Sequence, residues 1–131
     1  MGTSETASAT VPARSHTYYE EVFSEVEGPF AFVDLDAMWA NADAMLARTQ
    51  EMPIRMASKS VRARALFERI LDRDDRFRGV MTFTLPETNW LASQGYEDLL
   101  LAYPTTDLEA LAEHALHAAA RPEGCLLYTS D

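Results

Sequence analysis

Apolar residues return along this chain in two rhythms, and their alternation predicts its elements. From His16 to Glu27, Tyr18, Tyr19, Val22, Phe23 and Val26 recur three and four residues apart, the mark of an amphipathic helix, and Gly28-Pro29 stops it. Phe30 to Leu35 (FAFVDL) is a short apolar and aromatic run, so a strand is expected there, with Asp36 placed to N-cap the next helix. That helix carries Met38, Ala42, Met45, Leu46 and Thr49 on one face. After Pro53, Ile54 to Ser60 (IRMASKS) predicts a second strand, and Val61 to about Leu71 predicts a helix with Ala65, Leu66 and Ile70 as its inner stripe. Ser60 is a candidate cap for that helix. Beyond the charged loop DRDDR, Phe77 to Phe83 (FRGVMTF) predicts a third strand. Thr84-Leu85-Pro86-Glu87 has the Thr-x-x-Glu form of a capping box, opening a helix that runs through Gln94 and closes at Gly95. Asp98 to Tyr103 (DLLLAY) predicts a fourth strand. Thr106 and Glu109 repeat the capping box before a last helix striped by Leu108, Leu111, Ala115 and Leu116.

A helix followed by four strand-helix units, each about twenty-odd residues long, argues for α/β architecture with a parallel sheet and right-handed crossovers. The strands read as near-continuous apolar runs, as expected where helices cover one side of a sheet. A closed barrel and an open doubly wound sheet both satisfy this order. A complete eight-unit barrel takes about 250 residues, so the 131 residues here hold about half of one. Residues 1–15 (MGTSETASATVPARS) are small and polar without periodicity and read as a disordered leader, 16–120 as the α/β domain, and 121–131 as a tail. The closing CLLYTSD resembles translated sequencing-adapter read-through.

Charge narrows the classes of partner. With 11 Lys and Arg against 21 Asp and Glu, the net charge is -10, which repels phosphate backbones and anionic lipid and makes nucleic acid and membrane surfaces poor partners. No apolar run has the length of a membrane span, and residues 1–15 lack a signal-peptide pattern, so the expected compartment is the cytoplasm. The single Cys125 excludes an internal disulfide and a cysteine-rich metal site.

Ten of the basic residues are Arg and one, Lys59, is Lys. A chain that otherwise uses guanidinium for positive charge singles out the chemistry only a primary amine supplies, nucleophilic attack and Schiff-base formation. Lys59 stands at the carboxyl end of a predicted strand and just before a helix, where catalytic groups collect in α/β barrels and open sheets alike. Arg62 and the positive end of the following helix disfavour a further cation there, which favours the neutral amine that imine formation needs. Arg55 lies on the same strand face. Four residues of strand span about 13 Å, and at an effective dielectric of about 20 its influence is roughly 1 kcal/mol.

Four segments taken together, Pro29 to Asp36 (PFAFVDLD), Ile54 to Arg62 (IRMASKSVR), Arg78 to Gly95 (RGVMTFTLPETNWLASQG) and Asp98 to Pro104 (DLLLAYP), resemble the N-terminal part of alanine-racemase-like, fold-type III enzymes that use pyridoxal 5'-phosphate. The nearest look is to the D-threonine aldolase, D-serine dehydratase and amino acid deaminase/aldolase branch. The resemblance implies the first half of a TIM-like (β/α)8 barrel, a pyridoxal 5'-phosphate cofactor, an amino acid substrate and a lyase or racemase reaction. It also implies that Lys59 makes the internal aldimine, with Arg55 at the Arg of the family's Arg-x-x-x-Lys segment; Arg62, close to Lys59 in sequence, is a further candidate for binding the cofactor. A homodimer is expected of the longer protein. The chain departs from the D-threonine aldolase branch at Ala57, where many members have His, and at Ser60-Val61, where they have Thr-His. The family's phosphate-holding loops and its C-terminal β-domain have no counterpart in these residues. Two other readings stand beside this one, a non-catalytic pyridoxal 5'-phosphate homeostasis protein and an acidic α/β interaction module without cofactor.

The remaining candidates read as structure. His114 and His117, with Glu113, are expected on a solvated helix surface rather than around a metal. Asp34 is expected to pair with a neighbour and Asp36 to cap. Trp39, Trp90 and the six Met are expected in the core. No GxGxxG, Walker or GxSxG pattern is present.

Overall fold

Three short apolar runs become strands because each lies between a turn and a capped helix and pairs with its successor. In the computed structural model, which describes residues 13–120 and the backbone of 125–127, the chain divides into two compact units between Arg48 and Thr49. The second unit holds β1 (Ile54–Ala57), α3 (Arg64–Leu71), β2 (Phe77–Thr82), α4 (Leu85–Ser93), β3 (Leu99–Leu101), α5 (Leu108–Ala120) and β4 (Cys125–Leu127). The strands form one parallel sheet in the order β1-β2-β3-β4. The expected α/β class with a parallel sheet is therefore what the chain forms. β4 falls where the sequence suggests only a tail, and its backbone pairs with β3 through Leu99 and Cys125.

Register decides which side chains meet. Met56 stands opposite Val80, and Val80 opposite Leu99, so the three project from one face. There they pack with Phe67 of α3 and Leu91 of α4. Leu101 continues the same face and packs with Leu85 and with Ala110 of α5. All three helices thus bury their apolar sides on one face of the sheet. Ala57, Met81 and Leu100, which point the other way, are only half-buried.

Several boundaries differ from expectation for local reasons. Thr84 caps α4 as predicted, its side-chain oxygen accepting from the Glu87 N–H, and Gly95 follows the helix at φ +90°. α3 begins later than expected: Ser60 lies in a turn, Ala63 occupies the cap position without a side-chain hydrogen bond, and the buried residue is Phe67 rather than Ala65. In α5, Asp107 replaces Thr106 as cap, accepting from the Ala110 N–H at 3.0 Å. Its inner face is Ala110 and His114 with Leu111 of the expected stripe half-buried beside them, while Leu108 and Leu116 are 79% and 75% exposed. The small Ala110 side chain lets α4 come close, and Asn89 of α4 donates to the Ala110 carbonyl at 2.8 Å. That polar tie joins α4 to the face of α5 that carries Ala110 and Leu111.

The first unit contains α1 (His16–Val22), capped by Ser15, and α2 (Leu35–Thr49). Phe30 to Leu35 does not form the expected strand; residues 30–34 are irregular and Leu35 begins α2. The sheet's hydrogen-bonded neighbours are β1 to β4, and the run's rings pack locally instead. Phe32 lies 5.0 Å from the Tyr19 ring and 4.5 Å from Phe23, and Phe30 lies 5.1 Å from Phe23. An apolar run satisfied by side-chain packing alone gains no ladder, and period-2 reading cannot tell the two apart. Asp34, not Asp36, caps α2, accepting from the Ala37 N–H at 3.0 Å. Its carboxylate also receives Arg14 and, at 2.5 Å, the Tyr19 hydroxyl. Arg14 first, then Tyr19, holds the Asp34 carboxyl well below the usual carboxylate range. Asp36 takes the other arm of Arg14 at 2.6 Å. Arg14 and Ser15 therefore belong to the folded unit rather than to the leader, whose residues 1–12 lie outside the described residues.

Candidate functional site

In a parallel sheet every strand delivers the chain to the same edge, so residues one or two positions past neighbouring strands meet there. Lys59 follows β1 by two residues, Phe83 follows β2 by one, and Tyr103 follows β3 by two. The ladder continues one step beyond β1, with the Ser58 N–H donating to the Met81 carbonyl at 3.0 Å. This fixes the base of the turn carrying Lys59. The Lys59 Nζ donates to the Tyr103 Oη at 2.6 Å and lies 5.3 Å from the centre of that ring. Phe83 meets the Tyr103 ring edge-to-face at 5.2 Å.

Beside Lys59 opens a cleft of about 360 Å³ lined by Arg62, Arg64, Phe83, Thr84, Glu87 and Trp90, among others. A second cleft of about 300 Å³ shares Phe83 and Thr84 and is bounded by Tyr103 and Asp107. Glu87, expected only as half of a capping box, binds across elements: its Oε2 accepts from the Phe83 N–H at 2.8 Å and from the Ser58 hydroxyl at 3.0 Å. Ser58 is 1% exposed, so these two donors hold the carboxylate beside the Lys59 turn. Arg62 donates from Nε to the Lys59 carbonyl at 3.4 Å. Arg64 is braced by Gln94 at 3.0 Å and lies 5.8 Å over Trp90. Trp90, expected in the core, is 50% exposed and walls the cleft instead.

Lys59 and Arg62 are thus brought together, and Arg55 is held elsewhere. Its guanidinium bridges β2 to reach Asp98, which leads into β3, bonding the Asp98 carbonyl and, at 2.7 Å, its carboxylate. That position is the amino-terminal edge of β3, whereas Lys59 lies beyond the carboxyl end of β1.

The two histidines part company. His117 lies 3.8 Å from Glu113, but His114 is only 7% exposed, contrary to the expected solvated surface. Its Nδ1 lies 3.2 Å from the Asn89 Oδ1. Burial first, then His117, lowers its pKa from the ordinary value. Among the described residues no group of three or more His, Cys, Asp and Glu is gathered for a metal, and no helix is long and apolar enough to cross a membrane.

Sequence reasoning missed Tyr103, Glu87 and Ser58 as site residues. Tyr103 carried a usable signal, since it follows a predicted strand as Lys59 does. The buried Ser58 hydroxyl and its carboxylate partner depend on how α4 sits over β1, which no local pattern encodes. Comparison of the chain with family models, with curated proteins and with solved structures finds no match.

Proposed function

We propose that this chain is the Lys-bearing part of a pyridoxal 5'-phosphate-dependent enzyme acting on amino acids by aldol cleavage, dehydration or deamination, its sheet forming part of a (β/α)8 barrel and Lys59 carrying the cofactor. The observation that supports this most is the placement of the chain's one lysine just past β1, with its amine held by Tyr103 at 2.6 Å beside an open cleft. The donor set fits the group. The Lys59 amine suits its aldehyde, the Phe83 and Trp90 rings suit a pyridine ring, and Arg62 and Arg64 suit a phosphate. The α3 N-terminus, which has no side-chain cap, opens at the same edge. The one carboxylate in the cleft lining, Glu87, is already engaged by Ser58 and the Phe83 amide, which limits its repulsion of an anion.

Bound there, the cofactor would supply the electron sink that lets bonds at an amino acid's α-carbon break. The protein's share is to hold the amine in place, to bind anionic groups through Arg62 and Arg64, and to wall one side of the cleft with Trp90. The monotonic strand order, with all three helices on one face, supports a barrel arc over a doubly wound sheet, whose strand order would reverse.

Incubation of the full chain with pyridoxal 5'-phosphate followed by borohydride tests the reading. The amine condenses with the aldehyde, water leaves, and hydride fixes the product as a secondary amine. Peptide mass mapping is expected to find the modification on Lys59, and Lys59→Arg to abolish it while keeping the charge. Modification of the N-terminal amine with Lys59 left free would overturn the proposal.

A further inference from the structure

We propose that Tyr103 is the positioning residue of the Lys59 amine, fixing Nζ at the sheet edge through its hydroxyl. The inference rests on the reading of Lys59 as the reactive amine and adds a residue to it. Three observations converge. The Nζ lies 2.6 Å from the Oη, within hydrogen-bonding distance. The Tyr103 ring is held by Phe83 at 5.2 Å and an interplanar angle of 77°, so the hydroxyl is aimed by packing. The two residues come from 44 positions apart in sequence, so only the β1-β2-β3 order brings them together.

The chemistry gives this bond a purpose. A lysine side chain has four rotatable bonds, and an exposed one samples many rotamers. Lys59 is exposed, so without an anchor its amine would rarely point at one place in the cleft. A hydroxyl can accept from an ammonium and can donate to a neutral amine, so Tyr103 keeps its partner through either protonation state. It also stands between the two clefts, lining the second while binding the lysine that lines the first. An amine fixed there can receive a carbonyl compound from the first cleft without first searching for its orientation, the advantage that positioning confers.

Lys59 is the only lysine in the chain, so its reactions can be followed against the N-terminal amine as an internal standard. The test compares the full-length wild-type chain with Tyr103→Phe, which keeps the ring and removes the oxygen, in two measurements. The first is the rate at which borohydride fixes pyridoxal 5'-phosphate on Lys59. Loss of the anchor is expected to slow it about tenfold, as for a hydrogen bond to a charged group. The second is acetylation of Lys59 by a small amine-reactive ester, which needs no binding site. Freeing the amine is expected to raise its rate relative to the N-terminal amine by about fivefold. Phe83→Leu, which withdraws the support of the ring but leaves the hydroxyl, is expected to fall between wild type and Tyr103→Phe in both. If the wild type takes up pyridoxal 5'-phosphate and Tyr103→Phe takes it up equally fast, the positioning role is overturned while the cofactor reading stands. If the wild type takes up none but the acetylation ratio changes as expected, the cofactor reading falls and the positioning role stands. An unchanged acetylation ratio in Tyr103→Phe overturns the positioning role.

Discussion

Substitution of Gly79 by Ala tests how the strand carrying Lys59 is locked to the strand carrying Tyr103. Gly79 lies in β2 at φ +71°, where a side chain costs about 1 kcal/mol or more. Space is the larger obstacle. A Cβ at this position would lie 2.3 Å from the Arg55 Nη1 and 2.4 Å from the Asp98 carbonyl oxygen. The guanidinium is the end of a flexible side chain and can withdraw, but the carbonyl is backbone. It also accepts from the Val80 N–H at 3.1 Å, within the β2-β3 pairing, and from Arg55. Relieving the overlap therefore loosens two hydrogen bonds, each contributing about 1 kcal/mol. The reduced freedom of the unfolded chain returns about 0.5 kcal/mol. The net loss is about 2.5 kcal/mol, a large share of a domain stability of roughly 5–15 kcal/mol.

Urea unfolding of the full chain followed by circular dichroism measures this directly. With a slope of about 1.5 kcal/mol per molar, the midpoint should fall by about 2 M. The double variant Gly79→Ala with Arg55→Ala separates the two contacts. It removes the flexible obstacle and leaves the carbonyl, so the pair should be non-additive yet remain well below wild type. A Gly79→Ala midpoint within about 0.3 M of wild type would refute the argument, because β2 would then have room for a side chain between Arg55 and Asp98.

Thr84→Ala removes the side-chain cap of α4, which accepts from the Glu87 N–H at 3.3 Å, and should cost about 1 kcal/mol in the same urea assay while Thr84→Ser recovers most of it; equal midpoints for all three chains would remove the cap from the account of α4. His114 gives a pH dependence with a definite sign: burial holds its folded-state pKa below the ordinary 6.5, so the unfolded chain binds that proton first as pH falls, and stability present at neutral pH is lost below pH 6.5 until the folded value is passed. The difference in urea midpoint between about pH 7.5 and about pH 5.5 should be smaller in His114→Gln than in wild type, and an identical difference in the two would show that His114 titrates alike in both states.

What the sequence made legible follows from which features are local. β1, β2 and β3 could be found because each is an apolar run bounded by its own turn residues, and α4 because Thr84 and Gly95 mark both its ends. The inner face of α5 was legible only at Leu111: Leu108 and Leu116 outweigh Ala110 and His114 in any count of apolar positions, yet they are exposed while Ala110 and His114 are buried and tied to Asn89. Phe30 to Leu35 failed in the same way, since aromatic residues suit a strand as well as they suit packing on Phe23 and Tyr19. The site divides along this line. Lys59 was legible because its singularity and its place after a strand are properties of the sequence alone. Its partners were not, because they follow from register: Ala57 pairs with Met81 and Met81 with Leu100. Two steps past that row stand Lys59 and Phe83, and Tyr103 stands three past Leu100. The three residues therefore reach one edge together only if the strands pair at these offsets. A slip of one residue at either pairing would turn the side chains past it to the other face, part Tyr103 from Lys59, and leave the amine without its hydroxyl partner.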